Sequence, residues 1–451
     1  MAININKIYS YPAYLLFFMM LFAPASYKPI KIILIGLTLL IIVVNIMFNK
    51  RGQINIDMRV LGITWFLVLM GLIFMMIGSF NGNPGALTVG TVHVVWPILY
   101  LILIMGITSQ GILDGIMKTL VFSTIIIEVY ILTFVLHSKG TLPSFLYLEL
   151  DLGQSIGFYG NYMEFNIYSL SSLIFLLPFI FSALCVWQKN DQIQIKKIWL
   201  WLALGLGCIV LLLSGRRALF LTTAISPIPL MFFVWFLPKQ KKKLIKRTMR
   251  KMFALLFVLI IGILIYVQSR FDFDFTVFTQ MFKSGFDFTD TSNESSYLRY
   301  LQFNALIDGW KEHPLFGAGL GAQAGNVIRN AAAPWDYELQ YVAYLFHTGI
   351  VGFLCYAFGV IWIFIKGLKM FKRGSEESVY MIPVLVGTFC FLVANATNPY
   401  LAKYDYLWVI FLPVGILNYW LLRGKGKTTK RAETTKSEET LDFQNQQLTN
   451  I

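Results

Sequence analysis

Charge is what this chain has least of: of 451 residues only 13% are Asp, Glu, Lys or Arg. A soluble domain of that length carries roughly 25%, so an ordinary water-facing globular fold is excluded. Cysteine is scarce too. The four present (Cys185, Cys208, Cys355, Cys390) lie in or beside apolar runs, which argues against a disulfide framework or a zinc site. Of the four histidines, His93, His137 and His347 sit on or beside apolar stretches, where packing is the ordinary role; His313 lies in a polar one. Acidic residues are fewer than basic ones, leaving a net charge of +14. The excess Lys and Arg fall in short segments between apolar runs and in the tail, as topology signals and headgroup contacts do. No nucleic-acid partner is expected.

What is present is apolar length. Hydrophobic residues make up 57% of the chain and aromatics 16%. Runs of about 20 apolar residues, enough to cross the hydrocarbon core, recur throughout. The expected fold class is an all-α polytopic membrane protein of about 12 transmembrane helices, with a large, partly helical extracytoplasmic loop between the ninth and tenth. The first six spans are drawn at Pro12–Pro24, Ile30–Phe48, Val60–Phe80, Thr88–Ile107, Gly115–His137 and Asn161–Trp187. The other six are Ile198–Leu213, Ala218–Leu237, Met252–Gln268, Leu339–Ile365, Tyr380–Ala396 and Tyr404–Leu422. In domain terms, 1–422 is a multi-span membrane domain, 269–338 the loop within it, and 423–451 a disordered cytoplasmic tail rich in Lys, Thr, Glu and Gln. Tyr14–Phe22 followed by Ala23-Pro24-Ala25 is similar to a signal peptide, but the spans that follow favour an uncleaved first helix.

Orientation follows from counting Lys and Arg. The segment Lys239–Lys251 holds Lys239, Lys241, Lys242, Lys243, Lys246, Arg247, Arg250 and Lys251 with no acid, whereas acids outnumber bases in Arg270–Glu338. The expected topology therefore has both termini cytoplasmic and the long loop outside the cytoplasmic membrane. Lys28 and Lys31, near the outer end of the second span, are the exception. A second outer segment, Ser138–Gly160, contains Leu146–Leu152 as a candidate interfacial helix.

Five groups of residues carry the candidate chemistry. Ser214-Gly215-Arg216-Arg217 breaks a long apolar stretch with a turn at the outer face. An arginine there either snorkels to headgroups or offers a fork suited to a phosphate. Arg299 heads a segment of helical period with Leu298, Leu301, Ala305, Leu306 and Trp310 as its stripe and the arginine on the polar side; a solvated surface arginine is the plain reading. Pro314–Gly321 contains Gly317, Gly319 and Gly321, but no strand precedes them and no Lys-Ser/Thr follows, so a nucleotide loop is not supported. Amides turned toward an anion and simple close packing both remain open there. Glu338, with Asp336 in reserve, opens the long apolar helix after the loop, as a dipole partner or a general base. Gly157–Asn161 offers Tyr159 and Asn161 to a sugar, or makes a turn and cap. The span interiors are nearly charge-free, with Glu128 and Glu164 as exceptions.

Taken in order, these segments resemble the O-antigen ligase/polymerase superfamily of membrane glycosyltransferases. Leu213-Ser-Gly-Arg-Arg-Ala218 is similar to the family's Thr-Gly-Ser-Arg turn, with Arg217 at its arginine. Arg299, followed 15 residues later by Pro314–Gly321, is similar to its Arg…Pro-x-x-Gly-x-Gly pattern. Gly157–Asn161 and the stretch from Glu338 to Gly352 also match in place. The resemblance implies transfer of a glycan from undecaprenyl diphosphate to a hydroxyl of a second lipid-linked glycan, inverting, with no metal or other cofactor. Arg217, Arg216 and Arg299 would hold the diphosphate, Glu338 or Asp336 would act as base, and Asn161 and Tyr159 would position sugar. Lipid-linked donor and acceptor, membrane lipids, a chain-length regulator and a flippase are the partners implied. One departure matters. Ligases of the family carry a His-Asn pair where this chain has Glu338-Leu339, and His347 lies 9 residues further on, about two and a half turns too deep. That favours a polymerase of surface polysaccharide (capsule or exopolysaccharide) over a ligase; the rival from another class is a polysaccharide flippase.

Overall fold

The computed structural model describes residues 5–48, 55–159, 162–188, 193, 195–252, 254, 294–325, 327 and 330–424. Most of the expected ninth span, the first part of the long loop, Asn161 and the tail from 425 lie outside the described residues. The chain forms helices α1 (Ile5–Phe22), α2 (Lys28–Phe48), α3 (Met58–Phe80), α4 (Ala86–Met105) and α5 (Gln110–Ser138). They are followed by α6 (Leu170–Val186), α7 (Lys197–Ser214), α8 (Arg217–Ile225) and α9 (Pro227–Trp235). Last come α10 (Glu294–Glu312), α11 (Gln340–Lys372), α12 (Ser378–Asn395) and α13 (Tyr404–Gly424). Among the described residues, eight helices are long and apolar enough to cross a membrane. α8 and α9 together make one of them, kinked where Ser226 is followed by Pro227 at the first helical position.

Helices that are apolar all round belong at the centre of a bundle. α6 is the extreme case, with every residue buried. It packs along α12, and Phe175 of α6 meets Trp408 of α13 edge-on, with ring centroids 4.8 Å apart. α3 and α4 pair with each other, and only about a third or less of each is buried, as suits lipid-facing helices.

Two expectations from hydropathy are corrected. The sixth span does not begin at Asn161: Ser155–Tyr159 (β1) and Tyr162–Asn166 (β2) form an antiparallel hairpin, and the helix starts only at Leu170. The apolar residues Met163, Phe165 and Ile167 alternate with polar ones, a period of two that averaged hydropathy reads as part of a helix. Glu164 is therefore a strand residue, not an acid inside a span. The interfacial helix expected at Leu146–Leu152 is absent as well; a single 3₁₀ turn, Ser144–Leu146, is followed by irregular chain.

The tenth span runs on to Lys372 and is broken at Gly349, whose φ of 60° and ψ of −172° interrupt the ladder. A break inside a membrane helix frees backbone groups that must find partners. Here the segment after α10 supplies them. The amides of Ala318 and Gly319 donate to the carbonyls of Phe346 and His347, both at 2.9 Å. The amides of Ile350 and Val351 donate in turn to Pro314 and Leu315, at 3.0 and 3.1 Å. The segment is also held by α3, since Leu320 donates to the carbonyl of Phe74 at 3.1 Å. The glycines make the insertion possible. Gly317, Gly319 and Gly321 all have positive φ, and a Cβ on Gly319 would stand 2.4 Å from the Gly78 backbone. Of the two readings open for these glycines, close packing is what the structure shows: the amides of residues 317 to 320 are all spent on protein carbonyls.

The connections sort to two ends. At one, Tyr27 meets Asp151, Asn83 meets Ala318 and Leu320, and Ala25 and Lys31 meet Asp405. At the other, Asp57 meets Asn418, Asp114 meets Tyr380, and Arg423 meets Glu376 and Glu377. Lys31, the exception to the charge rule, is fully buried, with its ammonium 2.6 Å from Asp405 and 2.7 Å from the Ala23 carbonyl. It is a structural tie between α2 and the start of α13.

Candidate functional site

The site lies at the end of the bundle that carries the inserted loop. Along α10, Arg299, Gln302 and Leu306 fall at three- and four-residue spacing and so share one face. Leu306 enters a small core with Ala322, Ala324, Tyr337, Ala343 and Phe346. That core fastens α10 against the start of α11 and carries the other two residues to the segment Asp336–Leu339. Gln302 is fully buried and its Oε1 accepts the amide of Glu338 at 3.0 Å. One turn earlier, Arg299 donates from Nε to the Glu338 carboxylate. Arg299 was expected on the polar side of this helix. It lies instead on the inward face, its side chain 21% exposed, because Glu338 awaits it there.

The second arginine arrives from the other half of the bundle. α7 ends at Gly215 in the left-handed conformation (φ 63°), the usual device for stopping a helix. Arg216 follows, its amide held 3.3 Å from Ser214 Oγ, and Arg217 opens α8 half-buried. Arg216 Nε stands 3.0 Å from Oε1 of Glu164 on β2. The N–H is nevertheless buried without a hydrogen-bond acceptor: the contact balances charge but is out of line. Glu164 faces Gly157 across the hairpin, so no cross-strand side chain confines it.

Tyr400 lies in the 3₁₀ turn Tyr400–Ala402 between α12 and α13. Burial pushes its phenol up to about 12; Arg216 and Arg299 act to lower it, and Glu338 and Glu164 to raise it. All four charged side chains therefore bear on one hydroxyl. Five positions from distant parts of the chain converge at one end of the bundle, with two positive and two negative charges.

Of the residues chosen from sequence, the structure brings together Arg216, Arg299 and Glu338. Arg217 is the neighbour of Arg216, and Asp336 lies half-buried two residues before Glu338 in a turn closed by its own amide to Ala333, at 3.0 Å. Tyr159 ends β1; Asn161 lies outside the described residues. His347 is packed, its Nε2 3.1 Å from the Ala322 carbonyl. Sequence reasoning missed Glu164, Gln302 and Tyr400. Alternation around residue 164 was the available signal for the first; nothing local marks the other two. Among the described residues no group of His, Cys, Asp and Glu is arranged to hold a metal ion.

The class this defines is a helical, multi-pass membrane protein with paired guanidinium and carboxylate groups gathered at one end of its bundle. Residues 201–357 match the family model for O-Antigen ligase, a stretch running from α7 through the inserted loop into α11 and containing Arg216, Arg217, Arg299 and Glu338. The match supports the likeness of this stretch, about a third of the chain, to the O-antigen ligase/polymerase superfamily. Glu164 and Tyr400 come from outside the matched stretch. No curated protein matches the chain.

Proposed function

We propose that the protein is a membrane glycosyltransferase that polymerises polyprenyl-diphosphate-linked oligosaccharide repeats at the outer face of the cytoplasmic membrane. The observation that carries this is the pair of guanidinium–carboxylate contacts, Arg216 with Glu164 and Arg299 with Glu338, three of whose four residues lie in the stretch that matches the O-antigen ligase family model. Transfer needs a hydroxyl oxygen of the acceptor glycan to attack the anomeric carbon of the donor. The bond from that carbon to the diphosphate oxygen breaks, the diphosphate leaves with the electron pair, and the hydroxyl proton must be taken up. Two demands follow: cations at the leaving group and a base near the acceptor. Guanidinium groups meet the first without a metal, being permanently charged and bidentate; Arg216, Arg217 and Arg299 fill that role. Glu338 meets the second, with Asp336 beside it. Because attack and departure lie on opposite sides of the anomeric carbon, the reaction inverts. Tyr159, the last residue of β1, and Asn161, two residues further along the sequence, would hold sugar.

Each arginine of the two pairs is already neutralised by a carboxylate. Donor binding is thus an exchange, in which the diphosphate takes the guanidinium forks and the carboxylates are released, Glu338 becoming free to accept a proton. A ligase would use the same donor chemistry with a different final acceptor; Glu338-Leu339 in place of a His-Asn pair favours the polymerase. Gene deletion followed by gel separation of surface glycan decides between them. Single repeats left attached indicate a polymerase and long unattached chains a ligase, while an unchanged glycan ladder refutes both. Purified protein in liposomes separates the flippase, which moves lipid-linked glycan without lengthening or releasing it.

A further inference from the structure

The end of the bundle away from the candidate site carries cations for which that site has no use. α9 leaves Ile228, Met231, Phe232 and Trp235 each more than half exposed, and their spacing places them on one helix face. α9 belongs to a candidate span, so this apolar stripe faces lipid chains. The stripe ends among lysines. Lys242 Nζ stands 4.3 Å from the centroid of the Trp235 ring and donates to the Trp235 carbonyl at 3.4 Å. Lys246 Nζ lies 5.9 Å from the same ring, and Lys372 Nζ, at the end of α11, lies 5.3 Å from the ring of the next residue, Phe236. Pro238 follows, beside Gly374 in the turn that leads to Glu376 and Glu377. Those two acids are taken by Arg423, and among the described residues no ion pair engages the three lysines. Lys242 and Lys246 belong to a helical stretch, 239–252, whose buried side is Ile245, Met249 and Met252. That side fastens the stretch to the bundle, with Met252 Sδ 3.3 Å from Cys185 Sγ of α6.

We propose that this edge binds an anionic phospholipid, its acyl chains along the stripe from Ile228 to Trp235 and its phosphate against Lys242 and Lys246, with Lys372 adding to the positive field. Aromatic rings and lysines together mark the level at which lipid chains give way to headgroups. One N–H of Lys242 goes to the Trp235 carbonyl, and an ammonium has two more for phosphate oxygens. A soluble anion would use the lysines and leave the stripe idle. An acidic protein would meet Lys243, Arg247 and Arg250, which are exposed on the side of the stretch opposite its buried one. A phospholipid engages stripe and lysines at once, and each lysine near the headgroup favours an anionic lipid by about fivefold. The site stands apart from the transferase chemistry and does not depend on it.

The test uses the full-length protein in phosphatidylcholine vesicles that contain brominated phosphatidylglycerol, which quenches tryptophan fluorescence on contact. The signal of Trp235 is the difference between the parent and Trp235→Phe, a change that keeps a ring under the lysines. Its quenching should reach half-maximum at a mole fraction at least about tenfold lower for brominated phosphatidylglycerol than for brominated phosphatidylcholine. Lys242→Gln, Lys246→Gln and Lys372→Gln together should bring the two lipids to within about twofold of each other. Lys243→Gln, Arg247→Gln and Arg250→Gln remove the same charge from the opposite side and should leave the preference in place. Equal loss in both triple variants means a diffuse surface potential and overturns the site, as does equal quenching by the two lipids in the parent. Displacement of the brominated phosphatidylglycerol by glycerol 3-phosphate assigns the lysines to a soluble anion and also overturns it. Salt gives a reading without mutation: at about 1 M, where the screening length is about 3 Å, the preference of the parent should shrink. A preference indifferent to salt refutes an electrostatic headgroup site.

Discussion

Arg299 and Glu338 hold each other, so neither can be tested as though the other were a bystander. The perturbation is a cycle: Arg299→Lys, Glu338→Gln, and both together. The side chains are 21% and 10% exposed, so water screens the pair in part and its removal should cost folding only about 1 kcal/mol. The catalytic cost is larger. Lysine retains the charge but loses the fork, and removing one pre-organised donor to a developing anion costs about 2.7–4 kcal/mol, a rate loss of roughly 10²- to 10³-fold. Removing a general base costs roughly 10²- to 10⁴-fold. Independent action would multiply these losses in the double variant to at least about 10⁴-fold. If the two act as one unit, with Glu338 leaving Arg299 only as the diphosphate arrives, the double variant should be no more than about tenfold slower than the worse single one. That corresponds to a coupling of about 1–3 kcal/mol. The assay is release of undecaprenyl diphosphate from a defined lipid-linked repeat, at equal protein, with thermal melting as the check on folding. A single variant within about twofold of the parent, or strict additivity, refutes the reasoning.

Two further predictions concern the frame that holds the site. Lys31→Met should leave Asp405, 2% exposed, with little beyond the 3.1 Å amide of Ala25, and should cost about 3–5 kcal/mol. Pairing it with Asp405→Leu should recover most of that loss in thermal melts, and a single variant that melts like the parent would contradict the buried tie. Gly319→Ala should cost about 1–3 kcal/mol from overpacking against Gly78, with about 1–2 more for the left-handed backbone. Transferase activity should fall with it, since the same loop braces the start of α11; full activity with unchanged melting would show that the insertion can shift at no cost.

How much of this was legible depends on how far each signal reaches along the chain. Apolar length is local, and so are the charge runs between spans, which is why most helices fall close to their expected places, as α3 and α12 do. The two arginines were legible for a similar reason. An Arg-Arg pair interrupting an apolar stretch, and an arginine ahead of a glycine-rich segment, are visible within a few residues. What failed were features set by tertiary contact. Met163, Phe165 and Ile167 raise the local hydropathy whether they sit on a strand or a helix, so the hairpin was absorbed into a span and Glu164 with it. The inward face of α10 could not be chosen from its own stripe, because Arg299 and Gln302 are drawn in by Glu338, more than thirty residues away.

The two ion pairs are unlike, and the difference bears on the order of events. Half-buried guanidinium groups with no counter-charge would be costly, and a carboxylate balances each of them. Arg299 is bound to Glu338 by a hydrogen bond, and Gln302 fixes the backbone of the same glutamate. Arg216 is merely close to Glu164, its Nε–H out of line and its partner on a hairpin strand opposite a glycine. Displacing Glu164 therefore gives up Coulomb attraction but no aligned hydrogen bond, and the fork it leaves gains one. A diphosphate should engage Arg216 first and Arg299 second. On the proposed mechanism, that order would keep Glu338 paired with Arg299 until the diphosphate is seated, and would free it as a base only then.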